Sequence, residues 1–86
     1  PGLAVLPNPS NGEVRFVFAA STSGEEAIRI FDVAGRLVRD FRPASGQTAV
    51  RWDGRDALGR QVAPGIYFVN LRDGSVLETK RIVRLR

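Results

Sequence analysis

Residues 66–85 read IYFVNLRDGSVLETKRIVRL, and this stretch predicts the fold. Its first part, 66–72, is the most hydrophobic run of the chain, and its last part, 76–85, is a second extended run. Between them stands the pair Asp73-Gly74, a strong signal for a short β-hairpin because glycine readily adopts the positive φ that such turns need. We therefore expect two long antiparallel strands joined by a tight turn.

Five segments upstream have the same character, with apolar residues at a period of two and clusters of Gly, Pro, Asn and Asp between the runs. They span residues 3–6, 13–20, 27–33, 36–41 and 47–52. Seven short strands at this spacing indicate an all-β fold, a single immunoglobulin-like β-sandwich of about seven antiparallel strands, with a small barrel as the alternative. The 86 residues fit one domain, 1–86.

The composition excludes most catalytic chemistry. The chain has no His, Cys or Met, so Cys/His pairs, Ser-His-Asp triads and imidazole or thiolate metal sites are unavailable. The nine acidic residues are predicted in loops or on exposed strand positions, where a paired-carboxylate cleft is not expected. We therefore expect no enzyme activity, no catalytic residues, no metal site and no cofactor.

No apolar run approaches the roughly 20 residues of a membrane-spanning helix, so no membrane span is expected. The chain begins at Pro1 rather than at Met, and no signal segment precedes the first predicted strand. These features indicate that the chain is a module of a longer protein.

The net charge of +4 is concentrated at the end of the chain. Residues 1–79 hold nine basic and nine acidic side chains, and the last seven residues hold four cations: Lys80, Arg81, Arg84 and Arg86. Elsewhere the arginines are interleaved with acids and spread over many strands, so no nucleic-acid partner is expected. The basic tail is either an edge strand kept soluble by its charge or a recognition signal.

The longest irregular segment, 53–65, contains two carboxylates, Asp53 and Asp56, three residues apart. Such a pair resembles part of an oxygen-ligand calcium loop, but Gly54 and Arg55 between them supply no side-chain ligand. We expect the two carboxylates to bond loop amides instead.

Most aromatic side chains are predicted to fill the core, with Trp52 at its centre. This group comprises Phe16, Phe18, Trp52, Tyr67 and Phe68. Phe31 and Phe41 are less constrained; if they share an outward face with Val33, they form a candidate interaction patch.

Four motifs resemble a known family. They are NPSNG at 8–12, IFDVAGR at 30–36, GIYF at 65–68 and KRIV at 80–83, and their order and spacing are similar to those of the C-terminal sorting domains of type IX secretion in Bacteroidota. Residues 52–67 more closely resemble the immunoglobulin-like module of flagellar hook-capping proteins, which also recurs at the C-termini of many secreted bacterial proteins.

The sorting-domain resemblance implies a non-catalytic sandwich carried by a covalently linked upstream passenger. Such a domain would fold in the periplasm and be recognised by the outer-membrane secretion translocon. A sortase-like peptidase would then remove it and join the passenger to surface lipopolysaccharide. The implied location is the bacterial cell surface or the extracellular space.

The resemblance also assigns residues. The turn and core positions are Asn8, Pro9, Gly12, Asp32, Gly35, Gly65 and Tyr67, to which the hook-capping resemblance adds Trp52, Asp53 and Gly54. Lys80 and Val83 match the terminal signal of the sorting family. Arg81, Arg84 and Arg86 are further recognition candidates, although Arg84 and Arg86 lie beyond the signal that the family leads us to expect. An edge strand offers both backbone groups and charge to a receptor, which favours the tail for recognition. The alternatives are a structural spacer or carbohydrate-binding accessory domain of an extracellular multidomain enzyme, and a flagellar hook-cap subdomain.

Overall fold

The computed structural model describes residues 2–20 and 24–85. These residues form seven strands: β1 (Ala4–Leu6), β2 (Val14–Val17), β3 (Glu26–Asp32), β4 (Leu37–Phe41), β5 (Ala49–Trp52), β6 (Gly65–Asp73) and β7 (Val76–Arg84). No helix occurs in this described part of the chain, and hence none that could cross a membrane. Every predicted strand is present, which confirms the all-β prediction.

The strands form two antiparallel sheets, one in the order β1-β2-β5 and the other in the order β4-β3-β6-β7. Two separate sheets make the fold a sandwich, so the barrel alternative is wrong. Strand β4 lies beside β3 in the larger sheet, whereas the fourth strand of a constant-type immunoglobulin domain joins the other sheet. β4 and β7 are the edge strands of the larger sheet.

The β6–β7 hairpin is the longest pairing in the molecule. Each strand has nine residues, and their register runs from Gly65 opposite Arg84 to Asp73 opposite Val76. Gly74 has a φ of 62°, the conformation that the Asp-Gly signal predicts. The segment that best predicts the fold is thus also its largest element.

The core lies between the two sheets. Trp52 and Phe16 are its largest fully buried side chains, and the other members are Leu3, Val14, Phe18, Ile28, Ile30, Val50, Tyr67, Val69, Leu71 and Ile82. The central position predicted for Trp52 is confirmed. Along β6 the odd-numbered residues face inward, because side chains alternate between the two faces of a strand.

This alternation corrects two expectations about aromatic residues. Phe68 was predicted in the core, but it lies on the outer face of the larger sheet, 36% exposed and opposite Phe31. Phe41 packs against the core instead of joining Phe31, and the guanidinium of Arg39 stands 4.9 Å from its ring centroid. The outward aromatic pair is therefore Phe31 with Phe68.

A tyrosine corner supports the immunoglobulin-like architecture. The hydroxyl of Tyr67 donates a 2.6 Å hydrogen bond to the carbonyl of Ala63, four residues upstream, as such sandwiches do near the start of the equivalent strand. The Tyr67 ring stands edge-on to Trp52, with centroids 6.0 Å apart. Burial, more than the nearby Asp32 carboxylate, raises the pKa of Tyr67.

Candidate functional site

Four stretches that lie far apart in the sequence meet at one end of the sandwich. β3 ends there at Asp32, β6 begins at Gly65 and β7 ends at Arg84. Asp32 pairs with Tyr67, Gly65 pairs with Arg84, and Ser10 bridges to Arg84 from the other side. All four motifs that carry the family resemblance therefore converge here, and we call this region the motif end.

The NPSNG loop binds the outer edge of β7. The side chain of Asn8 accepts a 2.9 Å hydrogen bond from the Val83 amide and donates a 2.7 Å hydrogen bond to the Arg81 carbonyl. The Ser10 amide donates to the Val83 carbonyl, and the Leu85 amide donates to the Ser10 carbonyl. The loop thus acts as a short extra strand that covers part of an exposed sheet edge.

Two other residues of this loop complete the contact. Pro9 has no backbone N–H to leave unpaired between Asn8 and Ser10. The carbonyl of Gly12 accepts a hydrogen bond from Nη1 of Arg84. The loop therefore contacts both the backbone of β7 and a side chain from it.

Arg84 is a core residue despite its place in the basic tail. It is 4% exposed, and its guanidinium carbon lies 5.2 Å from the Trp52 ring centroid. Besides the Gly12 carbonyl, its Nη1 donates to the Ser10 hydroxyl at 3.3 Å. Burying a charge is costly unless it is hydrogen-bonded or stacked on an aromatic ring, and Arg84 has both kinds of contact.

Gly54 leaves the space that Arg84 occupies. A Cβ at this position would lie 2.1 Å from Nη2 of Arg84, and the φ of Gly54 is 77°, a conformation that L side chains rarely adopt. The WDG sequence therefore supplies Trp52 as a stacking partner and Gly54 as clearance for one buried guanidinium.

Asp53 and Asp56 hold the long loop by hydrogen bonds, as predicted. Oδ1 of Asp53 accepts from the Arg55 amide at 3.1 Å and from Nη1 of Arg39 at 3.2 Å. Oδ1 of Asp56 accepts from the amides of Leu58 and Arg60, each at 2.9 Å. No group of three or more potential metal-ligating side chains occurs within residues 2–20 and 24–85.

Two turns repeat the sequence Asp-x-x-Gly-Arg, as DVAGR at 32–36 in the motif end and DALGR at 56–60 in the long loop. In each turn, the Asp Oδ1 accepts from the amides two and four residues later, and Oδ2 accepts from the Arg Nε at 3.0 or 3.1 Å. The backbone bonds match as well, between the Asp and Arg residues and between the Asp and Gly residues. We call 32–36 and 56–60 the twin turns.

The sequence reasoning found the first of these turns and placed Asp56 in a loop, but it missed the repeat. The signal was the identical pattern of Asp, Gly and Arg 24 residues apart. Gly35 and Gly59 have φ values of 83° and 82°, so the same backbone conformation is built twice.

The twin turns have similar electrostatics. Backbone N–H donors, first that of Arg36, lower the pKa of Asp32, and the Arg60 N–H leads the same effect on the pKa of Asp56. Hydrogen bonding to a carboxylate favours its charged form. Both aspartates are therefore ionised partners of their turn over the neutral pH range.

A cleft of about 560 Å³ lies between the twin turns. Its lining includes both Asp-Arg pairs and the side chains of Leu37, Val38, Gln61, Val62, Ala63 and Tyr67. The Ala57 amide donates to the Val38 carbonyl at 3.1 Å, which fastens the second turn to the edge of β4. The two walls of the cleft are thus held together by the backbone.

The basic tail is divided between surface and core. Lys80 and Arg81 are exposed on the edge strand β7, whereas Arg84 is buried. Val83 is half-buried, with its backbone bonded to the NPSNG loop. Arg86 lies outside the described residues. The tail candidates that present a charge to solvent in the described part are therefore Lys80 and Arg81.

Comparison with known families gives a match over almost the whole chain. Residues 4–84 match the family described as the secretion system C-terminal sorting domain. The chain belongs to this family. A search of curated proteins gave no match.

Solved structures resemble this sorting domain. PorZ, an essential bacterial surface component of the type IX secretion system of Porphyromonas gingivalis, aligns with a TM-score of 0.79 and 28% identity over 99% of this chain and 12% of PorZ. Dimeric latent PorU from the same bacterium aligns with a TM-score of 0.71 and 18% identity over 96% of this chain and 9% of PorU. At that identity the likeness to PorU concerns the fold alone.

The sorting domain spans about a tenth of the length of either of these proteins. Its family is one of C-terminal sorting signals in type IX secretion rather than of catalytic domains.

Proposed function

We propose that this sorting domain directs a covalently linked upstream passenger across the outer membrane to the bacterial cell surface, and that exposed β7 is the part read by the translocon. The family match over residues 4–84 is the observation that carries this proposal. It favours export over the spacer and hook-cap interpretations.

The arrangement of β7 supports its role as the signal. It is an edge strand, and its outer edge is held in place from 81 to 85 by the NPSNG loop. A receptor that reads the charges of β7 gains affinity from a ligand that is already ordered, because less conformational entropy is lost on binding. Lys80 and Arg81 are the exposed cations of β7.

Two further steps, one before and one after the outer membrane is crossed, belong to the same proposal. The passenger and the sorting domain pass through the periplasm, where the domain folds. At the surface, a sortase-like peptidase removes the domain and joins the passenger to lipopolysaccharide. Neither step needs a catalytic group from the sorting domain itself.

The test fuses the domain to a reporter in a bacterium with type IX secretion and measures surface display. Deleting residues 80–86 is unsuitable, because it also removes the core residue Ile82 and buried Arg84. The informative variant is Lys80→Glu/Arg81→Glu, which reverses two exposed charges. The matched control is Arg15→Glu/Arg51→Glu, which reverses two exposed charges that face each other across β2 and β5.

We expect the β7 variant to lose most of its surface display while the control retains it, with both proteins folded by circular dichroism. Equal display of the two variants would contradict a signal role for β7. Periplasmic accumulation of the intact β7 variant is the expected fate, because export and not folding is blocked.

A further inference from the structure

The cleft between the twin turns carries chemistry that a sorting signal on β7 does not use. Its volume of about 560 Å³ falls within the range of small-molecule sites, roughly 300–1,000 Å³. It is lined by two Asp-Arg ion pairs, an amide side chain, a tyrosine and aliphatic residues.

The two arginines are anchored but not saturated. Each uses Nε to bond the aspartate of its own turn, at 3.0 Å for Arg36 and 3.1 Å for Arg60. No acceptor among the described residues bonds the Nη atoms of either arginine. The side chains of Arg36 and Arg60 are 82% and 73% exposed, so four N–H groups on each remain available.

The aspartates have no comparable spare capacity. Asp32 and Asp56 each accept two backbone amides at Oδ1 and one guanidinium N–H at Oδ2. Their pKa values are lowered by those donors, so they stay ionised. The cleft therefore offers donors to a ligand, and the Nε bonds fix the direction from which the donors point.

The donors suit carboxylates. A guanidinium fork matches the two oxygens of a carboxylate in a planar, bidentate arrangement. A phosphate dianion is a poorer match, because the two aspartates leave the cleft formally neutral and repel a concentrated negative charge. Single carboxylates, one at each fork, spread the ligand charge over both pairs.

The lining also argues against a sugar. Sugars bind proteins largely through stacking on an exposed aromatic face, and Tyr67 is the aromatic residue that lines this cleft. Tyr67 is only 8% exposed, its ring is edge-on to Trp52 and its hydroxyl is bonded to Ala63. Leu37, Val38 and Val62 instead provide an aliphatic lining between the two forks.

We propose that the twin-turn cleft is a binding site for an acidic peptide segment of a partner protein, with one ligand carboxylate on Arg36, another on Arg60 and an aliphatic side chain between them. This site is distinct from the exposed charges of β7. It does not depend on the export function proposed above.

The test uses the 86-residue chain labelled with ¹⁵N and a blocked peptide of alternating glutamate and valine. The peptide is titrated into the labelled chain, and NMR spectra record the chemical shifts of the backbone amides of Gly35 and Gly59 and of the Nε–H groups of Arg36 and Arg60. The matched probe is the same peptide with glutamine in place of glutamate, which has nearly the same shape but no charge. We expect the glutamate peptide to bind and to change the chemical shifts of residues around the cleft only. The glutamine peptide should not bind.

A variant pair separates fork geometry from charge. Arg36→Lys/Arg60→Lys keeps both positive charges and removes the forks, and we expect binding to weaken by about tenfold or more. The control is Arg51→Lys, whose arginine is 73% exposed on the smaller sheet, as exposed as Arg60; binding should not change.

Several outcomes would overturn the proposal. One is equal binding of the glutamine and glutamate peptides, and another is unchanged binding of the glutamate peptide by the double lysine variant. A third is tighter binding of inorganic phosphate, or of the acidic sugar trigalacturonate, than of the glutamate peptide. The comparison of probes uses the unmodified chain, so it decides the matter even if a variant is poorly folded. Surface display of the reporter fusion is a separate readout and stays informative whichever result is obtained.

Discussion

The guanidinium of Arg84 lies against the indole of Trp52, although the sequence places this arginine in a run of cations. Composition alone therefore suggests a surface charge. The alternation of side chains along a strand predicts otherwise, because Ile82 faces the core and Arg84, two positions later, lies on the same face. What the sequence does not reveal is the set of partners, since Ser10, Gly12 and Gly54 come from distant loops.

Replacement of Gly54 by alanine should destabilise the protein through two effects. A residue with a side chain is strained at a φ of 77°, and its Cβ would displace Nη2 of Arg84. Gly46→Ala is the matched control, because Gly46 has a φ of 84° but open space around a Cβ. We expect Gly54→Ala to lower the free energy of unfolding by about 1–2 kcal/mol more than the control does, from overpacking.

Urea unfolding followed by fluorescence measures this difference, and Trp52 is the single tryptophan. Equal losses in the two variants would mean that the strained φ accounts for the whole effect. In that case Arg84 would have moved aside at little cost.

Among the elements, the strands and the tight turns were predictable from the sequence, whereas the long-range contacts of the loops were not. Alternation fixes which residues face the core, so all seven strands were placed from the sequence, although β2 ends at Val17 rather than at residue 20. The bonds of the NPSNG loop to β7 join residues more than 70 positions apart, and no local pattern encodes them. The twin turns are a different case, because Asp, Gly and Arg recur 24 residues apart, a local pattern that predicts two turns of the same kind.

Removal of the Asn8 side chain should loosen the end of β7. Asn8→Ala removes the acceptor of the Val83 amide and the donor to the Arg81 carbonyl. A hydrogen bond of this kind contributes about 0.5–1.5 kcal/mol, so exchange of the Val83 amide with solvent deuterium should accelerate about 2–12-fold. Asn8→Asp keeps the acceptor and should preserve most of the protection.

The control for this measurement is Asn11→Ala, in the same loop and also exposed. Its Val83 exchange rate should equal that of the unmodified chain. If Asn8→Ala left that rate unchanged too, the side-chain bonds would not hold β7 and the backbone pairing with Ser10 would suffice.

For the molecule as a whole, stability depends on carboxylates of two kinds. The pKa values of Asp32, Asp56 and Glu78 are lowered by backbone N–H donors, led by Arg36, Arg60 and Leu3. Glu26 is 3% exposed, and its Oε1 has no hydrogen-bond partner among the described residues. Burial, and secondarily the charge of Asp73, raises the pKa of Glu26.

These shifts predict a stability maximum in mildly acidic solution. A lowered carboxyl pKa contributes stability above the unfolded value of about 4, and this contribution is lost as pH falls through the lowered folded pKa. Glu26 acts oppositely, since its protonated form favours the folded state and stability decreases as pH rises through its raised pKa. As pH is lowered from neutral, the free energy of unfolding should therefore first rise slightly, and it should then fall as pH is lowered further.

Urea midpoints measured from about pH 2.5 to about 7 test this profile. Glu26→Gln should be more stable than the unmodified chain at neutral pH and should remove the rise. Asp32→Asn/Asp56→Asn should flatten the fall at low pH. A profile that is the same in all three proteins would contradict the assignment of both limbs.

The partnership of Ser10 with Arg84 has a consequence for the order in which the chain is made. Of the seven strands, β7 is translated last. Before β7 is made, β6 lacks its hairpin partner, Ile82 is missing from the core and no cation lies over the indole of Trp52. Pairings across 74 residues also close slowly. A polypeptide that ends before Arg84 therefore lacks contacts that complete the sandwich. The complete fold forms only after translation has passed this residue.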